Sequence, residues 1–134
     1  MARAARILVV DDNDTLRTLI AQALESDGFV AIAASSGEEA IEVAHFSPPD
    51  LCLIDHVMPG MTGAELIRAL RTSDDERLRK VPAIGLSAYE AARHDLLAAG
   101  AVRAVGKPVS LESLLALVRR ILGDVGAGEE RSTG

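Results

Sequence analysis

Ile7-Leu8-Val9-Val10-Asp11-Asp12-Asn13 begins as an unbroken apolar run and ends in two adjacent carboxylates. Uniformly apolar residues without alternation suit a strand covered on both faces, as in a parallel sheet. The first strand is read as Arg6–Val10, and four similar runs follow at Phe29–Ala33, Leu51–Ile54, Pro82–Leu86 and Val102–Val105. Between them the apolar spacing turns helical. Leu16, Leu19, Ile20, Ala23 and Leu24 share one helix face, and Gly28 is placed to stop that helix. Ser36 with Glu39, and Thr62 with Glu65, have capping-box spacing ahead of two further helices. A weaker stripe, Ala88, Ala92, Leu96 and Ala99, ends at Gly100. The last stripe is Leu111, Leu114, Leu115, Val118, Ile121 and Leu122, with Ser110 as its cap and Arg119 and Arg120 suited to its negative end. Strict alternation of strand and helix predicts an α/β fold: a doubly wound, five-stranded parallel sheet with helices on both faces. One domain spans residues 1–122, and the Gly-rich polar stretch 123–134 reads as a disordered tail.

The bulk properties agree and narrow the function. At 134 residues there is room for one core, and 49% of the residues are apolar, which excludes a chain too polar to fold. The net charge of -6 and the lack of a Lys/Arg run argue against direct nucleic-acid binding. The lone Cys52 lies inside an apolar run, so a disulfide framework is excluded and a small core residue is expected. No apolar run approaches a membrane span, and the basic start, Arg3 to Arg6, is followed by too short an apolar stretch for a signal peptide. A cytoplasmic protein is expected.

The polar residues of interest cluster at the carboxyl ends of the strands. Asp11 and Asp12 follow the first, Asp55 the third, Ser87 the fourth, and Lys107 comes two residues past the fifth. In an open α/β sheet these ends converge on one crevice, where ligands bind. Carboxylates gathered there repel one another unless a cation intervenes, and Mg²⁺ is a hard ion that suits oxygen ligands. An ammonium, a hydroxyl and a cation around one carboxylate suit the stabilisation of phosphoryl oxygens, with the carboxylate as nucleophile. Asp12-Asn13-Asp14 starts like a calcium loop, but Leu16 and Arg17 fall where that loop needs a ligand and a glycine. His45 and His94 read as ordinary helix residues, and His56 is expected to point away from Asp55, its neighbour on an extended segment. Gly63 and Gly100 read as turn or cap residues.

These motifs, with Leu53-Ile54-Asp55-His56-Val57-Met58-Pro59-Gly60-Met61-Thr62-Gly63, Leu86-Ser87-Ala88 and Lys107-Pro108, resemble the response-regulator receiver family over about residues 5–122. The resemblance implies the flavodoxin-like strand order 2-1-3-4-5. It implies Asp55 as phosphoacceptor, and Asp12, Asp55 and the Val57 carbonyl as direct Mg²⁺ ligands, with Asp11 acting through water. Ser87 and the Ala88 amide would bind the phosphoryl group with Lys107, and the peptide before Pro108 would be cis. The implied partners are a sensor histidine kinase or phosphotransfer protein and a downstream effector protein. The chain would then be no enzyme on an external substrate, but a switch that catalyses its own phosphorylation and dephosphorylation. Two residues depart from the pattern: Ala104 stands where the family has an aromatic that changes rotamer, and Val109 replaces a common Phe. Activation is therefore expected to remodel the loop after Ser87 and the helix that follows, with little change at Ala104. The alternative is a pseudo-receiver that binds partners without taking phosphate; the intact set of Asp11, Asp12, Asp55, Ser87 and Lys107 speaks against it. A monomer is expected, either a stand-alone receiver or a piece of a larger regulator or hybrid kinase.

Overall fold

The computed structural model describes the backbone of residues 3–133 and the side chains of residues 3–123. Its elements are β1 (Arg6–Val10), α1 (Asp14–Ser26), β2 (Val30–Ala34), α2 (Gly37–Phe46), β3 (Leu51–Asp55), α3 (Gly63–Arg71), α4 (Glu76–Lys80), β4 (Ala83–Ser87), α5 (Glu90–Ala99), β5 (Arg103–Gly106) and α6 (Leu111–Thr133). The strands pair in parallel in the order β2-β1-β3-β4-β5.

The uniform apolar runs become a core on each side of the sheet. Leu8, Val10, Cys52 and Ile54 face α2, α3 and α5, packing with Ala40, Ala44, Leu66, Ile67, Leu70 and Leu96. Their sequence neighbours Ile7, Val9, Leu51 and Leu53 point the other way, to Ile20 and Leu24 of α1 and Leu114, Val118 and Ile121 of α6. The two-residue period of a strand thus serves two helical layers from one apolar run. Cys52 is fully buried, and burial pushes its thiol up to about 12, so it acts as a small apolar side chain. No helix among the described residues is long and apolar enough to cross a membrane.

Several expected boundaries move. β2, β4 and β5 each start one residue later than their apolar runs. Phe29 N–H donates to Leu24 O and so belongs to the turn closing α1. Pro82 has no N–H to offer the ladder, and β4 begins at Ala83. Asp55 and Ser87 are consequently the last residues of β3 and β4 rather than residues beyond them, and Lys107 directly follows β5. The short helix α4 was not anticipated; it buries only Leu78, too little for a periodic signal, and Asp75 caps it through the Arg77 N–H. Ser36 caps α2, but Glu39 turns to Ser35 instead of completing a capping box. Thr62 and Glu65 complete theirs around the start of α3.

The assigned bounds of α6 reach Thr133, with Gly134 outside the described residues. Gly123 does not take the positive φ seen at Gly28 and Gly100, which stand at φ 91 and 116. Arg119 and Arg120 accordingly lie inside the helix, where Arg119 Nη1 is 2.6 Å from Asp27 Oδ2 and ties α6 to the end of α1.

Candidate functional site

The sheet register determines which side chains meet. Val10 pairs with Ile54, Asp55 with Leu86 and Ser87 with Gly106, so the strands end at one level. Asp11 and Asp12 follow β1, Asp55 and Ser87 close β3 and β4, and Lys107 follows β5. All seven expected residues, Asp11, Asp12, Asp55, Val57, Ser87, Ala88 and Lys107, line one open cleft of about 440 Å³, joined by Asn13 and Tyr89. His56 is not among them. Its Nδ1 accepts from the Ala64 N–H at 3.3 Å, at the start of α3.

The charges in the cleft are unbalanced. Carboxylate oxygens of Asp11, Asp12 and Asp55 lie within 4.8 Å of one another. Asp11 and Asp55 are only 2% and 4% exposed. Lys107 Nζ stands 2.5 Å from Asp55 Oδ1 and 3.8 Å from Asp11 Oδ2. One ammonium thus faces three carboxylates. Burial pushes the Asp55 carboxyl above its ordinary value of 3.8; the Lys107 hydrogen bond works against that, and the charge of Asp11 adds to it. Asp11 Oδ1 accepts from the Asn13 N–H at 2.9 Å, whereas its buried Oδ2 has no hydrogen-bond partner. A buried, unpartnered carboxylate oxygen is costly, and here it belongs to a cluster of hard, anionic oxygen donors. That donor set fits a divalent cation such as Mg²⁺.

The surrounding loops are held by residues that sequence reasoning did not single out for the site. Arg17 Nη1 donates to Asp11 O at 2.7 Å, and its Nη2 is 2.6 Å from Asp14 Oδ1. Asn13 caps α1 by accepting from the Leu16 N–H at 3.0 Å. Across the cleft, Ser87 Oγ accepts from the Tyr89 N–H, and Ser87 O accepts from both the Lys107 N–H and Arg93 Nη1, each at 3.1 Å. An arginine in a helix pattern looks like ordinary surface charge, and only the fold shows that Arg17 and Arg93 reach back to strand ends. The Lys107–Pro108 peptide is cis, as the resemblance implies.

A family model described as the response regulator receiver domain matches residues 7–119. The response regulator MprA of Mycolicibacterium vanbaalenii is 36% identical over 92% of this chain, which spans about half, 54%, of that relative's length. The polar-differentiation response regulator DivK of Brucella ovis is 30% identical, with 88% of this chain and 96% of the relative aligned. Among solved structures, the chemotaxis response regulator CheY4 of Vibrio cholerae superposes with a TM-score of 0.81 at 28% identity, over 88% of this chain and 98% of that one.

Proposed function

The chain belongs to the response regulator receiver domain family, and we propose that it is a phosphorylation-dependent signalling switch with Asp55 as phosphoacceptor. The observation that carries this reading is the buried Asp55 carboxylate held 2.5 Å from Lys107, beside the unpartnered Oδ2 of Asp11. An Asp55 oxygen attacks the phosphorus, a P–O bond to Asp55 forms, and the bond from phosphorus to the donor's leaving atom breaks. Lys107 offers a positive charge to the phosphoryl oxygens, and Ser87 and the Ala88 amide offer hydrogen-bond donors beside it. Asp12, Asp55 and the Val57 carbonyl would hold Mg²⁺ directly, with Asp11 holding it through water. The bound ion supplies neutralisation of the charge that builds up on the transferring group. The phosphoryl donor is a sensor histidine kinase or a phosphotransfer protein, and the output is protein–protein contact with an effector. The site is cytoplasmic and serves the chain's own phosphorylation and dephosphorylation, not an external substrate.

Incubation with acetyl phosphate and Mg²⁺, read by intact mass, tests this reading. One phosphoryl group should be gained, and the gain should vanish in EDTA and in Asp55→Asn. Undiminished labelling of Asp55→Asn would remove Asp55 from the role.

A further inference from the structure

α5 is the one helix with described caps that starts without a side-chain cap. Asn13, Ser36, Thr62 and Asp75 cap α1 to α4 through hydrogen bonds from backbone N–H groups, and Ser110 accepts from Ser113 N–H at the start of α6. At α5 the capping position holds Tyr89, which makes no such bond and is 65% exposed. The side-chain tie from the first turns of α5 to the strand ends is Arg93. Its half-buried guanidinium donates Nη1–H to Ser87 O at 3.1 Å, the same carbonyl that receives the Lys107 N–H. Among the described residues Arg93 forms no ion pair, and its guanidinium bonds to this neutral carbonyl.

Room for that reach comes from two small residues on β5. A Cβ on Gly106 would stand 3.4 Å from Arg93 Nη1. Ala104, two residues back and so on the same face of β5, packs against the core cluster that includes Leu96 and Ala99 of α5. The side chain that crosses from helix to strand end is therefore an arginine on α5.

We propose that Arg93 is a positioning residue that makes the first turns of α5 move with Ser87. The inference rests on the reading of Asp55 as phosphoacceptor. When a phosphoryl group draws on the Ser87 hydroxyl, the Ser87 peptide shifts, and Arg93 transmits that shift to α5. A charge-assisted bond to a carbonyl is strong and directional enough to do this, whereas an uncapped helix start offers little resistance.

The test compares the full chain with Arg93→Met, which keeps the apolar stem but loses every donor, and Arg93→Lys, which keeps one. Beryllofluoride with Mg²⁺ stands in for the phosphoryl group, its binding is followed by fluorine NMR, and amide exchange is read residue by residue. In the wild type, exchange at residues 88–95 should change by about tenfold on binding. In Arg93→Met the bound fluorine signal should persist, with the change confined to 88–89 and lost from 92–95; Arg93→Lys should restore it. The Ser87 carbonyl carbon resonance of the unliganded protein should move in Arg93→Met and return towards the wild-type position in Arg93→Lys. A wild-type-like change at 92–95 in Arg93→Met, or no recovery in Arg93→Lys, overturns the inference alone. Absence of a bound signal in the wild type overturns the phosphoacceptor reading, and this inference with it.

Discussion

On the side of the cleft built from β1 and β3, each segment leaving the sheet is tied down within a few residues. Asn13 caps α1, Arg17 holds the Asp11 carbonyl, the His56 carbonyl and Nδ1 receive the Gly63 and Ala64 N–H groups, and Thr62 and Glu65 box the start of α3. On the side built from β4 and β5, α5 is uncapped, Tyr89 is exposed, and the residues facing α5 along β5 are Ala104 and Gly106. Under the proposed function, the difference separates two tasks. Carboxylates that gather around a cation must keep their mutual distances, so their supports are rigid. A switch needs an element with two arrangements, and a ligand shifts it only by binding one better. The firm side carries the three carboxylates, and the loose side carries Ser87, Ala88 and Lys107.

The hardest test of the firm side is Gly63→Ala. A Cβ there would stand 2.6 Å from Asp55 O and 2.8 Å from His56 Cα, and backbone atoms cannot swing aside. Gly63 is thus required by close approach rather than by a turn, a correction to its reading from sequence. The substitution should cost about 3 kcal/mol, a fall in melting temperature of roughly 10 °C, measured by thermal unfolding. A loss under about 1 kcal/mol would mean that the firm side yields, and the contrast would collapse.

Next in size is the charge stored in the carboxylate cluster. Asp55 has a folded-state pKa raised above 3.8, chiefly by burial. Below that value both states keep the proton and no penalty exists. As pH rises past it, the unfolded chain releases the proton first, so stability falls until the folded value is passed, and the penalty then persists. Without Mg²⁺, Asp55→Asn should therefore melt higher than the wild type at pH 7, with the gap closing near pH 4. Mg²⁺ at about a hundredfold excess over its Kd should add about 2.7 kcal/mol to the wild type, and much less to the variant. Melting curves over pH, with and without Mg²⁺, read both. A gap that widens towards low pH would show that Lys107, not burial, dominates the Asp55 environment.

Most of the firm side was legible in the sequence because its parts are short-range. The Asp11-Asp12 pair, Asp55 at the end of an apolar run and Thr62 with Glu65 each declare themselves within a few residues. The sheet was legible because β1, β3 and β4 are buried almost throughout, and the edge strands β2 and β5, though partly exposed, still carry mostly apolar residues. The loose side was less so. Ala104 could be seen as a small residue, but its consequence depends on Arg93, which reaches Gly106 and Ser87 from another element. Sequence spacing carries no signal for a side chain that bridges a helix to the strand ends beside it.

Helix caps sharpen the contrast at the level of about 1 kcal/mol. Thr62→Ala removes one arm of a capping box and should cost about that much. Tyr89→Ser does the reverse. Tyr89 already has the extended dihedrals of a capping residue, φ -103 and ψ 130, so a serine hydroxyl can accept from the first turn of α5. That variant should gain roughly 0.5–1 kcal/mol in thermal unfolding. It should also blunt the response of residues 90–95 to beryllofluoride, because a pinned helix start has less freedom to follow Ser87. A stabilised Tyr89→Ser protein with an undiminished response would detach switching from the missing cap.

The smallest effect is expected at Gly106, and it is the mirror of Gly63. Both glycines sit beside the cleft, and neither has a positive φ, so both backbones accept a side chain. What differs is the neighbour. A Cβ at Gly106 would meet Arg93 Nη1 at 3.4 Å and Cζ at 3.7 Å, the far end of a flexible side chain. The guanidinium can retreat by a few tenths of an ångström, stretching its bond to Ser87 O without breaking the fold. Against that stretch, alanine restricts the unfolded chain more than glycine does, a gain of about 0.4–1 kcal/mol where the dihedrals are compatible. The two nearly cancel, and Gly106→Ala should melt within about 2 °C of the wild type, corresponding to under about 0.5 kcal/mol. The place to look for its effect is the Ser87 carbonyl resonance, which should shift in the same direction as in Arg93→Met but less. A destabilisation as large as that of Gly63→Ala would show the β5 side to be as unyielding as the β3 side, and the division of the cleft into a fixed half and a moving half would fail.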